Sequence, residues 1–392
     1  MSVTRIPTGY VPLTDAAPLI AAQEMGFAAE EKLALELHRA PSWSSLRDML
    51  AFGQVDAAQM LAPVPIAAAL GLGGASAPLS VLSVLSVNGT VIGVSSSLAR
   101  KMADAGHGFS FDDPLSAGSA LIAAGGPSLR IGVPFPFSMH AELLTYWLKG
   151  LGADTPPGIG IRTVPPPLMV EAIRCGEIDA FCVGEPWGSL AVEQGASALL
   201  LPGRAIWSFA PEKVLAVRST WADAESGLVS RLIRALWRAG RWLANPASRG
   251  LAAEILSARR YLDLPAEIIE RALSGTFTVT PQGLQRETPG FIGFHDGAAG
   301  FPWRSQAQWI AGQLAQRNGL NRRAALETAG SVFRSDLYRA ALRGTGVELP
   351  GATSKPEGAF GAPQMFGGES ESAGLMHNRF FDGRVFDPLA AD

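Results

Sequence analysis

Cysteine is nearly absent from this chain, since only Cys175 and Cys182 occur among its 392 residues. Two cysteines are too few for a disulfide framework, and no Cys/His cluster has the spacing of a zinc site. An excess of charge of one sign is also lacking, because 32 basic side chains oppose 35 acidic ones and the net charge is −3. Nucleic-acid-binding proteins normally carry a basic excess, so direct binding of nucleic acid is not expected.

Long hydrophobic runs are missing as well. The longest apolar stretches, at 63–72 and 79–85, are too short or too interrupted by Gly and Pro to span a bilayer. The first 20 residues contain no basic segment followed by an apolar segment and a small-residue cleavage site. We therefore expect a cytoplasmic protein that does not enter a membrane. A hydrophobic content of 47% excludes extensive disorder, and the length suits two or three domains.

Catalytic signatures are lacking too. The sequence has no phosphate-binding loop, no nucleophile elbow, no HExxH motif and no dinucleotide-binding glycine motif. Its histidines are few and scattered, at positions 38, 107, 140, 295 and 377. The chain is therefore predicted not to be an enzyme and not to require a cofactor or a metal ion.

Short apolar runs alternate with helical patterns as far as about residue 217, which is typical of repeated strand–helix–strand units. The sequence predicts strands at 6–12, 57–61, 79–85, 90–95, 129–134, 180–183 and 214–217. It predicts helices at 18–25, 44–52, 139–148, 168–174, 227–243, 307–316 and 322–331. Residues 347–374, rich in Gly, Pro and Ser, are expected to form an exposed tail. The end of that tail, at 380–388, is expected to dock on its own lobe or on a partner.

A faint internal repeat indicates two similarly built lobes. The motif G-Y-V-P ends at Pro12 and is followed by a helix, and I-G-V-P ends at Pro134 and is followed by another. Downstream of each lies a G-x-[VI]-D-A motif, which begins at Gly53, 41 residues after Pro12, and at Gly176, 42 residues after Pro134. Matching motifs at matching spacing favour a duplicated unit. The alternative is that two unrelated strand–helix units share short motifs by chance.

Several polar residues are candidates for an anion site. His140 lies in the first turn of a predicted helix, where free backbone N–H groups and the helix dipole favour an anion. Trp43 precedes another helix, and its indole N–H can donate but not accept; Ser45 belongs to the same capping sequence, S-W-S-S. Lys213 offers a full positive charge, and Thr90 offers a hydroxyl. The alternatives are a capping or packed histidine, a packed tryptophan and a surface lysine.

A family resemblance extends over nearly the whole chain. It rests on motifs that occur in fixed order, together with the turn before His140: G-Y-V-P-L-T-D-A-A-P-L-I-A-A-Q-E-M-G-F, S-W-S-S-L-R-D, G-Q-V-D-A-A-Q-M-L-A-P-V-P, V-N-G-T, F-C-V-G-E-P-W, P-E-K and F-P-W-R-S-Q-A-Q-W. In this order they resemble the nitrate-binding proteins of ABC transporters and their relatives. The resemblance implies an α/β protein with the type II periplasmic-binding-protein fold, in which two α/β lobes joined by crossing strands hold the ligand in a cleft. Lobe 1 is then expected from 1–90 and 213–345, lobe 2 from 91–212, and a C-terminal extension from 346–392.

The resemblance also implies a ligand. The nitrate ligands of the family map onto Trp43, a position near Ser45, Thr90, His140 and Lys213. Thr90 departs from the pattern, because nitrate transporters typically have Gln there. Bicarbonate-binding relatives replace the histidine with Thr and the lysine with an acidic residue that helps to hold a cation. Because this chain keeps His140 and Lys213, the resemblance favours nitrate or nitrite.

The expected absence of a leader makes the chain similar to the cytoplasmic nitrate/nitrite sensors of the NasS type. That resemblance implies a protein partner, an RNA-binding antiterminator with an ANTAR domain (NasT-like). The sensor releases this partner when nitrate or nitrite binds, and nitrate assimilation genes are then transcribed. Two alternatives are a substrate-binding component of an ABC transporter and an enzyme built on the same fold, such as a pyrimidine synthase that uses His140 or Cys182.

Overall fold

The computed structural model describes residues 3–74, 77–152, 159–364 and 376–390. The strands are β1 (Thr4–Tyr10), β2 (Leu33–Arg39), β3 (Ala57–Leu61), β4 (Leu79–Asn88), β5 (Thr90–Ser95), β6 (Arg130–Val133), β7 (Gly160–Thr163), β8 (Ala180–Gly184), β9 (Ser197–Pro202), β10 (Pro211–Arg218), β11 (Thr276–Thr278), β12 (Gln285–Glu287), β13 (Ile292–Gly293), β14 (Phe360–Gln364) and β15 (Met376–Asn378). They alternate with helices through the first half of the chain, as the sequence pattern predicts.

The helices are α1 (Ala17–Glu24), α2 (Phe27–Glu30), α3 (Trp43–Ala51), α4 (Pro63–Ala69), α5 (Ser96–Asp104), α6 (Pro114–Gly125), α7 (Met139–Gly150), α8 (Met169–Arg174), α9 (Trp187–Glu193), α10 (Ser219–Ala224), α11 (Ser226–Ala244), α12 (Arg249–Ser257), α13 (Ala266–Ser274), α14 (Arg304–Asn318), α15 (Arg322–Ala329) and α16 (Ser335–Leu342). Among the helices of the described ranges, none is both long enough and apolar enough to cross a lipid bilayer.

Two separate sheets form the cores of two lobes. Lobe 1 is built on the strand order β13-β4-β10-β3-β1-β2, and lobe 2 on the order β7-β6-β8-β5-β9. In lobe 1, β1 is parallel to β2 and β3, while β10 is antiparallel to β3 and β4. In lobe 2, β6 is parallel to β7 and β8, while β5 is antiparallel to β8 and β9. Five strands of lobe 1 therefore have counterparts in lobe 2, in the same order and direction.

The sequence repeat coincides with this structural duplication. Gly53 and Gly176 both have positive φ, +75° and +71°, at the turn that leads into β3 and β8, where L side chains are strained. The next feature that the two copies share is the aspartate of the G-x-[VI]-D-A motif. The N–H of Asp56 donates to the carbonyl of Pro7 at 2.9 Å, and the N–H of Asp179 donates to the carbonyl of Arg130 at 2.8 Å. Each motif thus fixes the entry of a central strand, β3 beside β1 in lobe 1 and β8 beside β6 in lobe 2.

The chain crosses between the lobes twice in this region. The first crossing runs from β4 to β5 through Gly89, and the second runs from β9 to β10. Asn88 ties them together, because its Nδ2 donates to the carbonyl of Ser208 at 2.8 Å and its Oδ1 accepts from the N–H of Ala210 at 3.2 Å. Asn88 adopts a left-handed backbone conformation, with φ +59°, which asparagine tolerates better than most residues. The two crossings therefore lie side by side as a hydrogen-bonded hinge.

The predicted secondary structure is largely confirmed. Two predicted strands, Ala57–Leu61 and Thr90–Ser95, have the predicted bounds, and every other predicted strand and helix overlaps an observed one. Eight observed strands are absent from the prediction: β2, β7, β9 and β11 to β15. The β2 segment L-A-L-E-L-H-R alternates apolar and polar residues, but β9 is buried along its whole length and has no alternation to reveal it.

The region after β10 does not pack on one lobe alone. Helix α11 packs against α1 and β4 of lobe 1. The segment that contains α13, β11 and β12 lies against lobe 2 instead, where Arg271 pairs with Glu193 and the Phe277 ring packs on Phe111. The sequence predicts that all of 213–345 belongs to lobe 1, whereas in the structure the segment with α13, β11 and β12 packs against lobe 2.

The C-terminal segment packs on its own chain. Phe380 is buried against Trp207, Trp309 and Tyr146, and the Tyr146 hydroxyl donates to Asp382 at 2.9 Å. The expectation of an exposed tail at 347–374 is wrong for part of its length. Lys355 and Glu357 are buried and paired with one another. The Ser305 hydroxyl and the Asn378 amide also donate hydrogen bonds to the Glu357 carboxylate. Residues 365–374 of that prediction lie outside the described residues.

Candidate functional site

A cluster of buried ionisable side chains lies where the second crossing enters β10. The Lys213 ammonium is fully buried, and its Nζ lies 2.8 Å from Asp15 Oδ2 and 2.8 Å from Glu212 Oε1. Burial by itself lowers the pKa of Lys213, but the two carboxylates raise it, and the net shift is upward. Lys213 is therefore a cation, as the sequence predicts, and it points inward rather than to the surface.

Glu212 and Lys213 are neighbours in a strand, so an ideal pleat would direct them to opposite faces of the sheet. The pairing of β10 with β4 shifts its register between Pro211 and Lys213 and again between Lys213 and Val214. Such irregularities bend a strand and redirect its side chains, and they are frequent beside functional sites. This irregularity explains how both side chains reach one cluster.

Asp15 is supplied by the short 3-10 turn Thr14–Ala16 that follows β1. Its Oδ1 accepts from Gln59 Nε2 at 2.5 Å, and Gln59 Oε1 in turn accepts from the N–H of Val11 at 3.0 Å. Burial raises the pKa of Asp15 by more than Lys213 and the Gln59 amide lower it, so the net shift is upward. The Gln59 amide thus holds the carboxylate of Asp15 in place beside Lys213.

His140 comes from lobe 2, as the second residue of α7. The hydroxyl of Ser138 caps this helix by accepting from the N–H of Ala141 at 3.2 Å. His140 Nδ1 lies 3.3 Å from Glu212 Oε1, and neither ring nitrogen makes a hydrogen bond of good geometry with any described residue. Burial, followed by the Lys213 charge, lowers the pKa of His140 well below its ordinary value, so the ring is neutral.

Trp43 is the first residue of α3 in lobe 1, and its side chain is buried. Lys213 Nζ lies 5.3 Å from the centre of the indole ring, which is within the range of a cation–π contact. The indole Nε1 has no hydrogen-bond partner among the described residues. A buried N–H without an acceptor is unusual in a folded protein, and it is available to an added acceptor.

Space between the lobes is preserved at Gly184, the last residue of β8. A Cβ atom at this position would lie 3.4 Å from Asp15 Oδ2 and 3.8 Å from His140 Nε2. It would also come within 2.6 Å of Leu13 Cδ2. The absence of a side chain at Gly184 therefore lets the aspartate and the histidine approach the same point.

The other two predicted site residues lie at the margin. Thr90 is buried at the start of β5, with its hydroxyl next to the Cys182 thiol and without a hydrogen bond to any described oxygen or nitrogen atom. Ser45 is half-buried in α3, where its N–H and its hydroxyl both bond to Ser42 Oγ, at 3.2 and 2.9 Å. Ser45 thus serves the cap of α3, and ligand contacts of Ser45 and Thr90 stay predictions.

Direct hydrogen bonds hold the two lobes together beside the cluster. The Trp187 indole of lobe 2 donates to the carbonyl of Pro12 at 3.0 Å, and the N–H of Thr14 donates to the carbonyl of Glu185 at 2.8 Å. The Glu185 carboxylate itself accepts from the N–H of Ser189 and so caps α9. The structure therefore has its lobes closed around the cluster.

Three members of the cluster were missed by sequence reasoning: Asp15, Gln59 and Glu212. Glu212 stands inside the P-E-K motif, but strand alternation assigns only one of two adjacent residues to the cleft. Asp15 and Gln59 lie inside the quoted motifs L-T-D-A-A and A-A-Q-M. Their polar character within apolar segments was the signal that could have revealed them.

Comparison with known proteins identifies related chains. The model of the NMT1-like family matches residues 2–257. The nitrate/nitrite binding protein NrtA of Nostoc sp. is 27% identical over 99% of this chain and 84% of its own length. The nitrate import ATP-binding protein NrtC of Synechocystis sp. is 33% identical over 86% of this chain, and the bicarbonate-binding protein CmpA of Synechococcus sp. is 28% identical over 99%. This chain spans only 50% of NrtC, about half of that relative.

Solved structures agree with this relationship. The crystal structure of the periplasmic nitrate-binding protein NrtA from Synechocystis PCC 6803 has a TM-score of 0.82 at 27% identity, covering 98% of this chain and 96% of NrtA. The ligand-binding component of an ABC-type import system from Staphylococcus aureus has a TM-score of 0.67 at 18% identity, covering 86% of this chain and 99% of that protein. The expected periplasmic-binding-protein fold with two α/β lobes is confirmed.

Proposed function

We propose, from the premise that this chain belongs to the NMT1-like family, that it binds nitrate or nitrite between its lobes and acts without turnover. One observation carries the proposal: buried side chains from both lobes that can donate hydrogen bonds lie around the pair of Lys213 and Glu212. Lys213 Nζ and Trp43 Nε1 belong to lobe 1 and His140 to lobe 2, and the indole N–H has no partner among the described residues. The similarity to NrtA gives the ligand its chemical class.

The donor set suits a small planar anion that accepts hydrogen bonds and donates none. An ammonium group has three donors, and two of those of Lys213 point to Asp15 and Glu212. The third has no hydrogen-bond partner among the described residues, so it can donate to an anion, and a charge-assisted bond is roughly twice as strong as a neutral one. The Trp43 indole adds a donor that has no acceptor capacity and therefore cannot favour a protonated ligand.

Binding between lobes supplies a switch. An anion that contacts both lobes stabilises the closed arrangement over an open one, and it shifts the equilibrium by its difference in affinity for the two. The hydrogen-bonded hinge at Asn88 and the contacts of Trp187 and Thr14 give this closure a defined geometry. A protein partner that recognises only one arrangement would then respond to the anion.

The finer part of the proposal is a sensor role. In it the protein is a cytoplasmic nitrate/nitrite sensor that holds an ANTAR-type, NasT-like RNA-binding antiterminator and releases it when the anion binds. The support is the resemblance of the sequence motifs to nitrate-binding proteins and their relatives, among which the NasS-type sensors are counted, together with the two-lobe arrangement that can exist in two states. In the alternative, supported by the similarity to NrtA, the chain is the substrate-binding component of an ABC transporter.

Calorimetric titration tests the ligand. The purified protein is titrated separately with nitrate, nitrite, bicarbonate and sulfate at the same ionic strength. Saturable binding of nitrate or nitrite supports the proposal, whereas binding of bicarbonate or sulfate alone contradicts it.

A second experiment separates the sensor from the transport receptor. A tagged copy is expressed in its native cell, the cell is fractionated, and proteins that co-purify with and without nitrate are identified. Recovery from the cytoplasm with an ANTAR-domain protein that leaves on addition of nitrate supports the sensor. Recovery with a permease or from the periplasm supports the transport receptor.

A further inference from the structure

The charges in the cleft do not by themselves favour an anion. Lys213 contributes one positive charge, while Asp15 and Glu212 contribute one negative charge each when both are ionised. His140 is neutral, so the four groups then sum to −1. All four side chains are fully buried, so solvent screens this charge poorly. An incoming monovalent anion would therefore meet a net negative site unless a proton came with it.

The contact between His140 and Glu212 shows where that proton would go. Nitrate only accepts hydrogen bonds, so His140 contributes a bond only when Nε2 carries a hydrogen. A neutral ring with its hydrogen on Nε2 presents a bare lone pair at Nδ1, which lies 3.3 Å from Glu212 Oε1. Two bare acceptors at this distance repel one another. A proton on either atom removes the repulsion and keeps Nε2 a donor.

We propose that Glu212 and His140 form a proton-carrying pair across the cleft, so that the protein takes up one proton with each nitrate ion. This inference rests on the proposed binding of nitrate, and it makes Glu212 a residue that determines which charge state of the site accepts the anion. With the proton in place the four groups sum to zero, and both His140 and Lys213 face the anion as donors.

The surroundings of Glu212 are consistent with this role. Burial raises the pKa of Glu212 to about 7; Lys213 lowers it and the Asp15 charge raises it. From lobe 2 the groups that face Glu212 are His140 and Cys182, and burial raises the thiol pKa of Cys182, so the thiol stays neutral. A nitrate ion beside the pair would add a further negative charge and raise the affinity of Glu212 for its proton.

The coupling between nitrate binding and proton uptake can be measured in two ways. When one proton is taken up with each anion, the affinity falls about tenfold for each pH unit above the pKa of the free pair and is constant well below it. Proton uptake is therefore expected to approach one per nitrate at pH 8.5 and to approach zero at pH 6.

Calorimetry with potassium nitrate measures both quantities on the complete chain. Titrations at pH 6, 7 and 8.5 are each run in two buffers of different ionisation enthalpy, so that the difference in heat counts the protons taken up. Glu212→Gln keeps the shape of a neutral carboxyl, and in this variant the nitrate affinity is expected to be the same at all three pH values. Glu185→Gln is the matched control, because Glu185 is equally buried and lies outside the cluster; it is expected to keep the pH dependence of the unmodified protein.

The outcomes are distinct. Nitrate binding with the same heat in both buffers at pH 8.5, or with equal affinity at pH 6 and 8.5, would overturn the proton-carrying pair while leaving nitrate binding intact. A pH dependence that persists in Glu212→Gln assigns the proton to another group and also overturns it. Absence of binding of both nitrate and nitrite at every pH contradicts the proposed function itself.

Discussion

The Trp187 indole of lobe 2 donates its N–H to the carbonyl of Pro12 in lobe 1, at 3.0 Å. The donor is the last residue of the F-C-V-G-E-P-W motif, which begins in β8, and the acceptor is the last residue of the G-Y-V-P motif. The lobes therefore meet directly at two of the quoted motifs, and this bond helps to set how closely the lobes approach.

Replacement of Trp187 by Phe removes this bond while keeping an aromatic ring. One net hydrogen bond is worth about 1 kcal/mol, so the population of the open arrangement rises and the nitrate affinity falls roughly fivefold. Trp147→Phe is the control, because the Trp147 indole donates to the carbonyl of Pro114 at 2.9 Å within lobe 2. Small-angle scattering without nitrate should give a larger radius of gyration for Trp187→Phe only. Equal radii for both variants would argue against a role of Trp187 in closure.

Replacement of Trp43 by Phe tests the free indole donor. The phenyl ring preserves packing in α3 and the face beneath Lys213, and no protein acceptor among the described residues loses a partner. Hydrogen bonds to charged groups contribute about 1.5–3 kcal/mol, so the nitrate affinity should fall roughly 10- to 100-fold. Trp207→Phe serves as the control, since the Trp207 indole donates to Asn378 Oδ1 away from the cluster. An unchanged nitrate titration in Trp43→Phe would remove Trp43 from the site.

Replacement of Lys213 by Met leaves Asp15 and Glu212 buried without a cation. Removing one partner of a buried ion pair typically costs about 3–5 kcal/mol of unfolding free energy. The loss should be largest at pH 8 and should shrink toward pH 5, because the two carboxyls are then neutral by protonation. Urea unfolding followed by circular dichroism across this range measures it, and an equal loss at every pH would show that the ammonium does not balance these carboxylates.

Three buried glutamates should each add to the stability of the unmodified protein as the pH falls from 8 to about 5. Burial raises the pKa of Glu142, Glu185 and Glu212 to about 7 each, above that of an unfolded glutamate. Between the two pKa values the folded chain holds more protons than the unfolded chain, so each group lowers stability as the pH increases, by at most about 1.4 kcal/mol per pH unit.

Glu185→Gln isolates one of these three contributions. Its amide oxygen can still accept from the N–H of Ser189, but the residue no longer titrates. Denaturant unfolding at several pH values should show that this variant gains less stability between pH 8 and pH 5 than the unmodified protein does. The same slope in both proteins would mean that Glu185 is ionised in the folded chain over the whole range.

The sequence predicted those parts of the fold that follow from local pattern. Alternation of strands and helices, the paired G-x-[VI]-D-A motifs and the capping sequence S-W-S-S before α3 all report on contacts made within a few residues. The overlap of predicted and observed elements has this origin. The motifs in fixed order added the two-lobe fold, which local pattern alone does not specify.

The cluster around Lys213 could be predicted only in part because it depends on departures from regular structure. The register shifts in β10 place Glu212 beside Lys213, and the single 3-10 turn after β1 delivers Asp15. Neither leaves a periodic trace in the sequence. The burial of Lys355 and Glu357 escaped prediction for a similar reason, since their partners Ser305 and Asn378 are distant in the chain.

The amide of Asn88 has a mechanical consequence for the whole molecule. Because it bonds the first crossing to the backbone of Ser208 and Ala210 in the second, sliding of one connection past the other would break both hydrogen bonds, whereas bending of the two together keeps them. Opening by rotation about the paired crossings therefore costs less than opening by shear, and the same atoms can meet again when the lobes close.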